Sequence, residues 1–216
     1  MPKVVLVGIT QPVIDGVSTA ADLVAYAARV SNPSNQLNTE TSAKLLAYLA
    51  KHQHWSPFEM VSLVMEITTT RDIARQILRH RSFSFQEFSQ RYAKADDLGF
   101  ELKDARLQDP KNRQASLETD DRELSKEWRA AQTDILLAAK KAYTWAIGNG
   151  IAKEQARAVM PEGMTISKLY MAGTLRSWMH YCSLRTGIET QKEHREVAEK
   201  ALEILKQEFP SIVTLL

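Results

Sequence analysis

Between residues 79 and 92 the sequence concentrates side chains suited to gripping a phosphorylated, planar ligand. Arg79-His80-Arg81 sets two guanidinium groups around an imidazole. The following run, Ser82-Phe83-Ser84-Phe85-Gln86-Glu87-Phe88-Ser89-Gln90-Arg91-Tyr92, interleaves aromatic rings with hydroxyl, amide and guanidinium groups. A guanidinium offers a fixed fork of donors to phosphate oxygens, and a serine hydroxyl adds a short hydrogen bond without bulk. An Arg-His-Arg triplet alone is also what a helix C-terminus favours, because cations there oppose the helix dipole. The density of ligand-binding groups after the triplet is what argues for a site rather than a solvated helix end.

The elements that must position this segment follow from periodicity. From Arg71 to His80, Ile73, Ala74, Ile77 and Leu78 share one face while Arg71, Arg75 and Arg79 recur every four residues along another. That spacing predicts a helix whose last turn runs into the triplet. The β-branched, partly alternating stretch from Val61 to Thr70 predicts a strand before it, and 82–91 reads as a loop. Upstream, a first strand is expected from Val4 to Thr10, a helix from Ser18 to Val30 capped by Ser18 or Thr19, another from Thr41 to about His52, and a turn at Pro57.

Downstream, residues 96–121 are polar and short of apolar side chains, which predicts a mobile surface excursion. A long helix follows over 118–149, ended by Gly148 and Gly150, then a short helix over 152–160 stopped by Pro161. A strand is expected over 165–172, a helix capped by Thr174 and running to Arg185 with Gly187 at its stop, and a final helix over 190–208. With no internal repeat, this mixed order predicts an α+β fold. It is expected as a single domain over 1–216, a small mixed or antiparallel sheet packed by several helices, one of them long.

A chain of 216 residues that is 44% hydrophobic can bury one real core. Its 28 basic and 26 acidic side chains nearly balance, which argues against disorder and against a surface that coats polyanions, so any anion site must be local. Cys182 is the only cysteine. No intramolecular disulfide can form, and a reducing cytoplasm fits. The apolar run at the N-terminus is too short to span a membrane and lacks a signal-peptide cleavage site, so no membrane association is expected.

Three further segments carry chemistry-bearing residues: His54-Trp55-Ser56-Pro57-Phe58-Glu59, Glu154-Gln155-Ala156-Arg157-Ala158-Val159-Met160-Pro161, and the run from Thr174 to Arg185 followed by Gln191 and Glu193. Taken alone, His52 and His54 are too few for a zinc site and no metal is expected; Arg157 reads as an ordinary helix-surface arginine. Cys182 lies mid-helix among Met179, Tyr181 and Leu184, where a packed thiol is expected. Arg176 and Arg185 are nine residues apart. At about 100° per residue they project to opposite sides of a helix and should serve different ligands.

Arg79-His80-Arg81, seven residues, and then Ser89 with Arg91 after it resembles the signature of the flavin-dependent thymidylate synthases. The three further segments resemble the same family in the same order, so the likeness spans most of the chain. Thr174, His180 and Glu189 depart from it, standing where asparagine, asparagine and histidine are common.

The resemblance implies reductive methylation of dUMP to dTMP. The one-carbon unit comes from 5,10-methylenetetrahydrofolate and reaches C5 of the pyrimidine, and it is reduced by a hydride that NADPH supplies through FAD. It further implies that dUMP is held by Gln76, Arg79, Glu87, Phe88, Ser89, Gln90, Arg91, Arg157 and Arg185, with Arg185 catalytic against the uracil. FAD contacts would come from His54, Ser56, Glu59, Arg79, His80, Arg81, Glu87, Thr174, Arg176 and His180. A homotetramer with active sites shared between subunits is implied too, and FAD bound by arginines and helix ends of several subunits is consistent with the lack of a G-x-G-x-x-G turn or a P-loop.

Ser89 has no His/Asp pairing beside it, and an unactivated serine is a poor nucleophile, so its expected role is binding. Two other readings compete. A nucleic-acid-binding module would use Arg71, Arg75, Arg79 and Arg81 on phosphates and Phe83, Phe85 and Tyr92 on bases, but the near-neutral charge opposes it. A structural assembly through the long helix is opposed by its irregular heptads.

Overall fold

The structure, a computed structural model, describes residues 2–212; Met1 and residues 213–216, part of the domain expected over 1–216, lie outside them. In chain order the elements are β1 (Lys3–Ile9), α1 (Ala20–Ala28), α2 (Ser42–Lys51), β2 (Ser62–Thr70), α3 (Arg71–Ile77), β3 (Ser84–Glu87), β4 (Arg106–Gln108), β5 (Ser116–Glu118), α4 (Arg122–Gly148), α5 (Lys153–Ala156), β6 (Ile166–Thr174), α6 (Leu175–Arg185) and α7 (Lys192–Glu208). Single 3-10 turns occupy Pro33–Asn35, Ser56–Met60 and Arg157–Val159. This is the α+β class expected.

Four strands form one antiparallel sheet in the order β1-β2-β6-β3. Alternation fixes which face is covered. Leu63, Met65 and Ile67 of β2 and Leu169 and Met171 of β6 are fully buried, whereas their neighbours Glu66 and Tyr170 pair across the opposite face, the Tyr170 hydroxyl donating to Glu66 at 2.8 Å. A period of two with one apolar face is what a strand against a single helical layer requires. That layer comes from α1, α2, α3, α6 and α7, which contribute Val24, Leu46, Ile73, Trp178 and Val197 among others to one continuous core. Burying the Trp178 ring there requires a partner for its N–H, which the Leu63 carbonyl provides at 3.2 Å.

α6 begins where β6 ends. Thr174 is the last strand residue and also the N-cap, its hydroxyl accepting from the Ser177 N–H at 3.2 Å. Of the two candidates Ser18 and Thr19, Thr19 caps α1, and the expected cap at Thr174 is in place. The long helix is capped by Asp121 rather than starting at residue 118, and Gly150, with φ 77°, turns the chain just past its end.

Four expectations change. The helix after β2 ends at Ile77, so the Arg-His-Arg triplet lies in the turns beyond it and not in its last turn. The segment expected as a loop contains β3, which pairs with the edge of β6 from Ser84↔Ala172 to Glu87↔Leu169. The polar excursion holds the hairpin β4–β5 and is tied down by charge: Lys103 Nζ donates to Thr70 Oγ1 at 2.7 Å, the Lys103 N–H donates to Gln132 Oε1 at 2.8 Å, and Arg106 meets Glu193 at 2.5 Å. Polar anchoring of this kind leaves no hydrophobic period to detect. The short helix expected over 152–160 is one α turn followed by a 3-10 turn.

Candidate active site

The triplet is placed by one aromatic anchor. Beyond α3 the His80 N–H donates to the Ile77 carbonyl at 3.0 Å and the Phe83 N–H to the His80 carbonyl at 3.3 Å, so the chain turns tightly back toward the sheet. Phe83 is buried edge-on against Trp178 and Tyr181, with centroids 4.9 and 6.0 Å away. Its ring lies on Gly173, where an added Cβ would stand 2.4 Å from Phe83 Cδ1. With Phe83 fixed, Arg79, Arg81 and Ser82 remain exposed and His80 is half-buried.

His80 and Arg185 meet directly: Arg185 Nε donates to His80 Nε2 at 3.0 Å. A guanidinium can only donate, so His80 must accept at Nε2 and is neutral with its hydrogen on Nδ1. Burial first, and then the charges of Arg185, His180 and Arg79, push the His80 value down to about 4. Among the described residues Arg185 has no carboxylate partner; His80 is its one hydrogen-bonding neighbour. A half-buried cation with only a neutral partner is under-compensated, and an anionic or electron-rich ligand would relieve that cost.

Around the other side of α6 lies a cavity of about 660 Å³ whose walls include Lys51, Gln53, Trp55, Glu59, Ser82, Arg176, His180 and Ser183. Arg176, His180 and Ser183 follow each other at helical spacing along this face, and Arg185 is absent from it, as the half-turn between the two arginines required. Glu59 joins two elements here: the Thr174 hydroxyl donates to it at 2.6 Å and Arg176 at 2.8 Å. The Thr174 hydrogen bond, helped by Arg176 against the opposing effect of burial, holds the Glu59 carboxyl below its ordinary value. The size lies in the range of small-molecule sites, and an indole beside ammonium and guanidinium groups suits a planar ring carrying phosphates, so the residues fit a flavin dinucleotide. Of the other two residues in that segment, His54 stacks with Tyr48 and His52 on the surface, and Ser56 lines a separate hollow against α1.

Glu87 is held by other side chains. It accepts from Ser167 Oγ at 2.9 Å and faces Arg71 and Arg75 at 3.8 and 3.4 Å, and both arginines also meet Glu162. After β3, the Phe88 N–H donates to Lys168 and Ser89 opens a turn, its hydroxyl accepting from the Arg91 N–H at 3.4 Å. Gln90 is 3% exposed and its Nε2 has no partner among the described residues. A buried donor left alone costs about 1–3 kcal/mol, so a ligand acceptor at this point would be stabilising. Arg91 pairs with Glu154 at 3.2 Å beside a hollow of about 380 Å³, and Arg157 donates to the Glu154 carbonyl at 3.3 Å. Within this chain the expected nucleotide ligands thus stand as separate groups. Gln76 and Arg185 lie to either side of the His80–His194 pair, and Gln90, Arg91 and Arg157 belong to the turn after β3 and its neighbours.

Cys182 is fully buried, and burial pushes its thiol up to about 12, so it packs and does not react. Two contributors have no obvious signal in the sequence. Gln53 has φ 57°, the left-handed position of a turn in which the His54 N–H reaches the Leu49 carbonyl and the Gln53 N–H the Ala50 carbonyl. Glycine is usual there, and the strain is borne by a residue in the cavity wall. His194 is 1% exposed between Gln76 and Tyr181, and burial, then Arg185 and His80, push it down to about 3.

Both rings have folded values below the ordinary 6.5. The unfolded chain therefore binds more protons as pH falls below about 6.5, and the stability present above that pH is lost on the way toward about 4 for His80 and about 3 for His194. The melting temperature is expected to drop between pH 7 and pH 5 at fixed ionic strength, and less steeply in His194→Gln. Parallel slopes for the two proteins would show that His194 is not the buried neutral base.

An antiparallel sheet under a helical layer, with an uncompensated arginine on one side of α6 and a mixed polar and aromatic cavity on the other, suits an enzyme acting on anionic, ring-bearing small molecules. The family model described as thymidylate synthase complementing protein matches residues 12–211. A probable flavin-dependent thymidylate synthase of Paramecium bursaria Chlorella virus 1 is 47% identical over 98% of this chain and 97% of its own. The flavin-dependent thymidylate synthase of Synechocystis sp. is 48% identical over 97% of both chains. A crystal structure of a UMP/dUMP methylase from Streptomyces cacaoi bound with 5-Br dUMP superposes with a TM-score of 0.83 at 28% identity, covering 100% of this chain and 94% of that one. The chain belongs to the flavin-dependent thymidylate synthase family.

Proposed function

We propose that this chain converts dUMP to dTMP by reductive methylation, with 5,10-methylenetetrahydrofolate as one-carbon donor, NADPH as reductant and FAD as the hydride carrier. The observation that carries the assignment is the half-buried Arg185 guanidinium, which meets neutral His80 and no carboxylate among the described residues. Held by the residues of the cavity beside α6, FAD would supply the hydride that reduces the one-carbon unit at C5 of the pyrimidine. The rest is done by side chains. Arg185, a planar fork of donors, stabilises the charge that grows on the uracil, and His80 fixes its direction by accepting from Nε. Arg79, Ser89, Gln90, Arg91 and Arg157 hold the nucleotide, with Gln76 and Phe88 beside it. Glu59, Thr174, Arg176 and His180 bind the flavin, joined by His80 and Arg81; His54 and Ser56, which lie outside that cavity, reach a flavin held by a neighbouring subunit, and Glu87 braces Arg71 and Arg75.

The protein acts as a homotetramer, with sites shared between subunits and one domain over 1–216, in the cytoplasm. The separation of the nucleotide ligands within one subunit supports sharing. So does α4, which leaves Trp128, Ile135, Leu137 and Trp145 43–63% exposed, large apolar side chains around the helix that subunit contacts would cover. Among the described residues no helix is long and apolar enough to cross a membrane. A nucleic-acid surface is disfavoured because Arg71 and Arg75, two of its four cations, already pair with Glu87 and Glu162.

The test is a visible spectrum of the protein with added FAD, under NADPH and then with dUMP, run beside sedimentation. Flavin bands that bleach with NADPH and shift on dUMP, in a species four subunits in size, are expected. No flavin binding at any concentration would sink the assignment, and a fully active monomer would remove the shared site alone.

A further inference from the structure

A single anion fixes a row of neutral hydrogen bonds behind Gln76. Arg106 meets Glu193 Oε1, and Gln191 Nε2 reaches Glu193 Oε2 at 2.9 Å. Burial raises the Glu193 carboxyl, but its own backbone N–H, Gln191, Arg106 and Lys103 together outweigh that and hold it below its ordinary value. An ionised carboxylate only accepts, so the Gln191 amide must turn its NH₂ toward Glu193 and its oxygen away. That oxygen lies 2.7 Å from Gln76 Nε2, which therefore donates; Gln76 Oε1 then faces His194 Nδ1 at 3.3 Å, which must carry the hydrogen; His194 Nε2 is left to accept from the Tyr181 hydroxyl at 3.2 Å. Every bond points the same way, from Tyr181 to Glu193, and such aligned bonds reinforce each other in a buried site. Tyr181 is fully buried and its ring stands edge-on to His80, 5.0 Å between centroids at 79°. Holding that ring fixes the plane of His80, and the Nε2 lone pair that accepts from Arg185 lies in the plane.

We propose that Glu193, through Gln191, Gln76, His194 and Tyr181, sets the direction of this chain, making Glu193 and His194 positioning residues for the Gln76 amide and the Arg185 guanidinium. This rests on the assignment of Gln76 and Arg185 to the nucleotide. In Glu193→Gln the terminal group can donate as well as accept, so the row can reverse, with both amides flipped and His194 protonated on Nε2.

The experiment reads ¹⁵N signals of histidine-labelled, ligand-free protein near neutral pH. Of five histidines, His80 and His194 are expected as fixed Nδ1–H tautomers, against the exchange-averaged, exposed rings of His52, His54 and His180. Glu193→Gln is expected to move His194 alone, because Arg185 still holds His80. In turnover with dUMP, Glu193→Gln and Tyr181→Phe each lose on the order of tenfold in kcat, with FAD affinity unchanged and the double variant no slower than the worse single. His194 on Nε2–H in the native protein, a tautomer unmoved by Glu193→Gln, or additive kinetic losses would each overturn the proposal. Absence of any dUMP turnover by the native protein would instead reject the underlying assignment, and the tautomer result would stand apart from it.

Discussion

Arg185→Ala lowers kcat/KM for dUMP by about 10²–10³-fold, the usual loss when an oriented donor to developing charge is removed, while added FAD still binds with its native spectrum. The two outcomes separate because Arg185 is absent from the walls of the cavity that holds Arg176 and Glu59. Arg185→Lys recovers less than about a tenth of the native rate, because an ammonium keeps the charge but loses the planar fork that reaches His80 and the ring together. Steady-state kinetics beside a flavin titration measures both. Turnover by Arg185→Ala within threefold of native would mean that the uncompensated guanidinium serves binding elsewhere.

The second large effect is structural. Gly173→Ala places a Cβ 2.4 Å from Phe83 Cδ1 and 3.2 Å from Cγ, so the whole ring must shift, not merely a flexible tip. Trp178 and Tyr181 close off the shift on two sides. Overpacking of this kind costs about 1–3 kcal/mol, which in a chain of this size lowers the melting temperature by roughly 3–10 °C. FAD affinity should fall with it, since Phe83 holds the turn whose Ser82 carbonyl accepts from Ser177 at 3.3 Å in the cavity wall. Shortening the ring tests the cause: Gly173→Ala added to Phe83→Val should cost almost nothing further. A melting temperature within 1 °C of native for Gly173→Ala alone would show that the ring moves freely.

The elements legible in the sequence were those with a strong local signal. β2 shows in its alternation and β-branching, α4 in a long three-to-four repeat, and α6 in the Thr174 cap. In each case the residues that signal the element also bury it. The half-turn between Arg176 and Arg185 also followed from helix geometry alone, and it correctly placed the two arginines on different surfaces. β3 escaped because a strand of four residues at the edge of a sheet draws its stability from β6, a partner about 80 positions away. The β4–β5 hairpin escaped because ion pairs to Asp104, Glu118 and Glu193 hold it where apolar burial would have left a period.

By itself the sequence determined the family and the α+β class, because composition, period and motif spacing are properties of the chain. Only the tertiary structure decided which arginines are available. Arg71 and Arg75 look equivalent to Arg79 along one helical stripe, yet Glu87 and Glu162 neutralise the first two, while the chain leaves the helix before the third and carries it into solvent. It also decided that His194, from the last helix, stands behind His80 and Gln76. The energy of a charge or a tautomer depends on which groups lie within a few ångströms, and that is set by packing between residues more than a hundred positions apart.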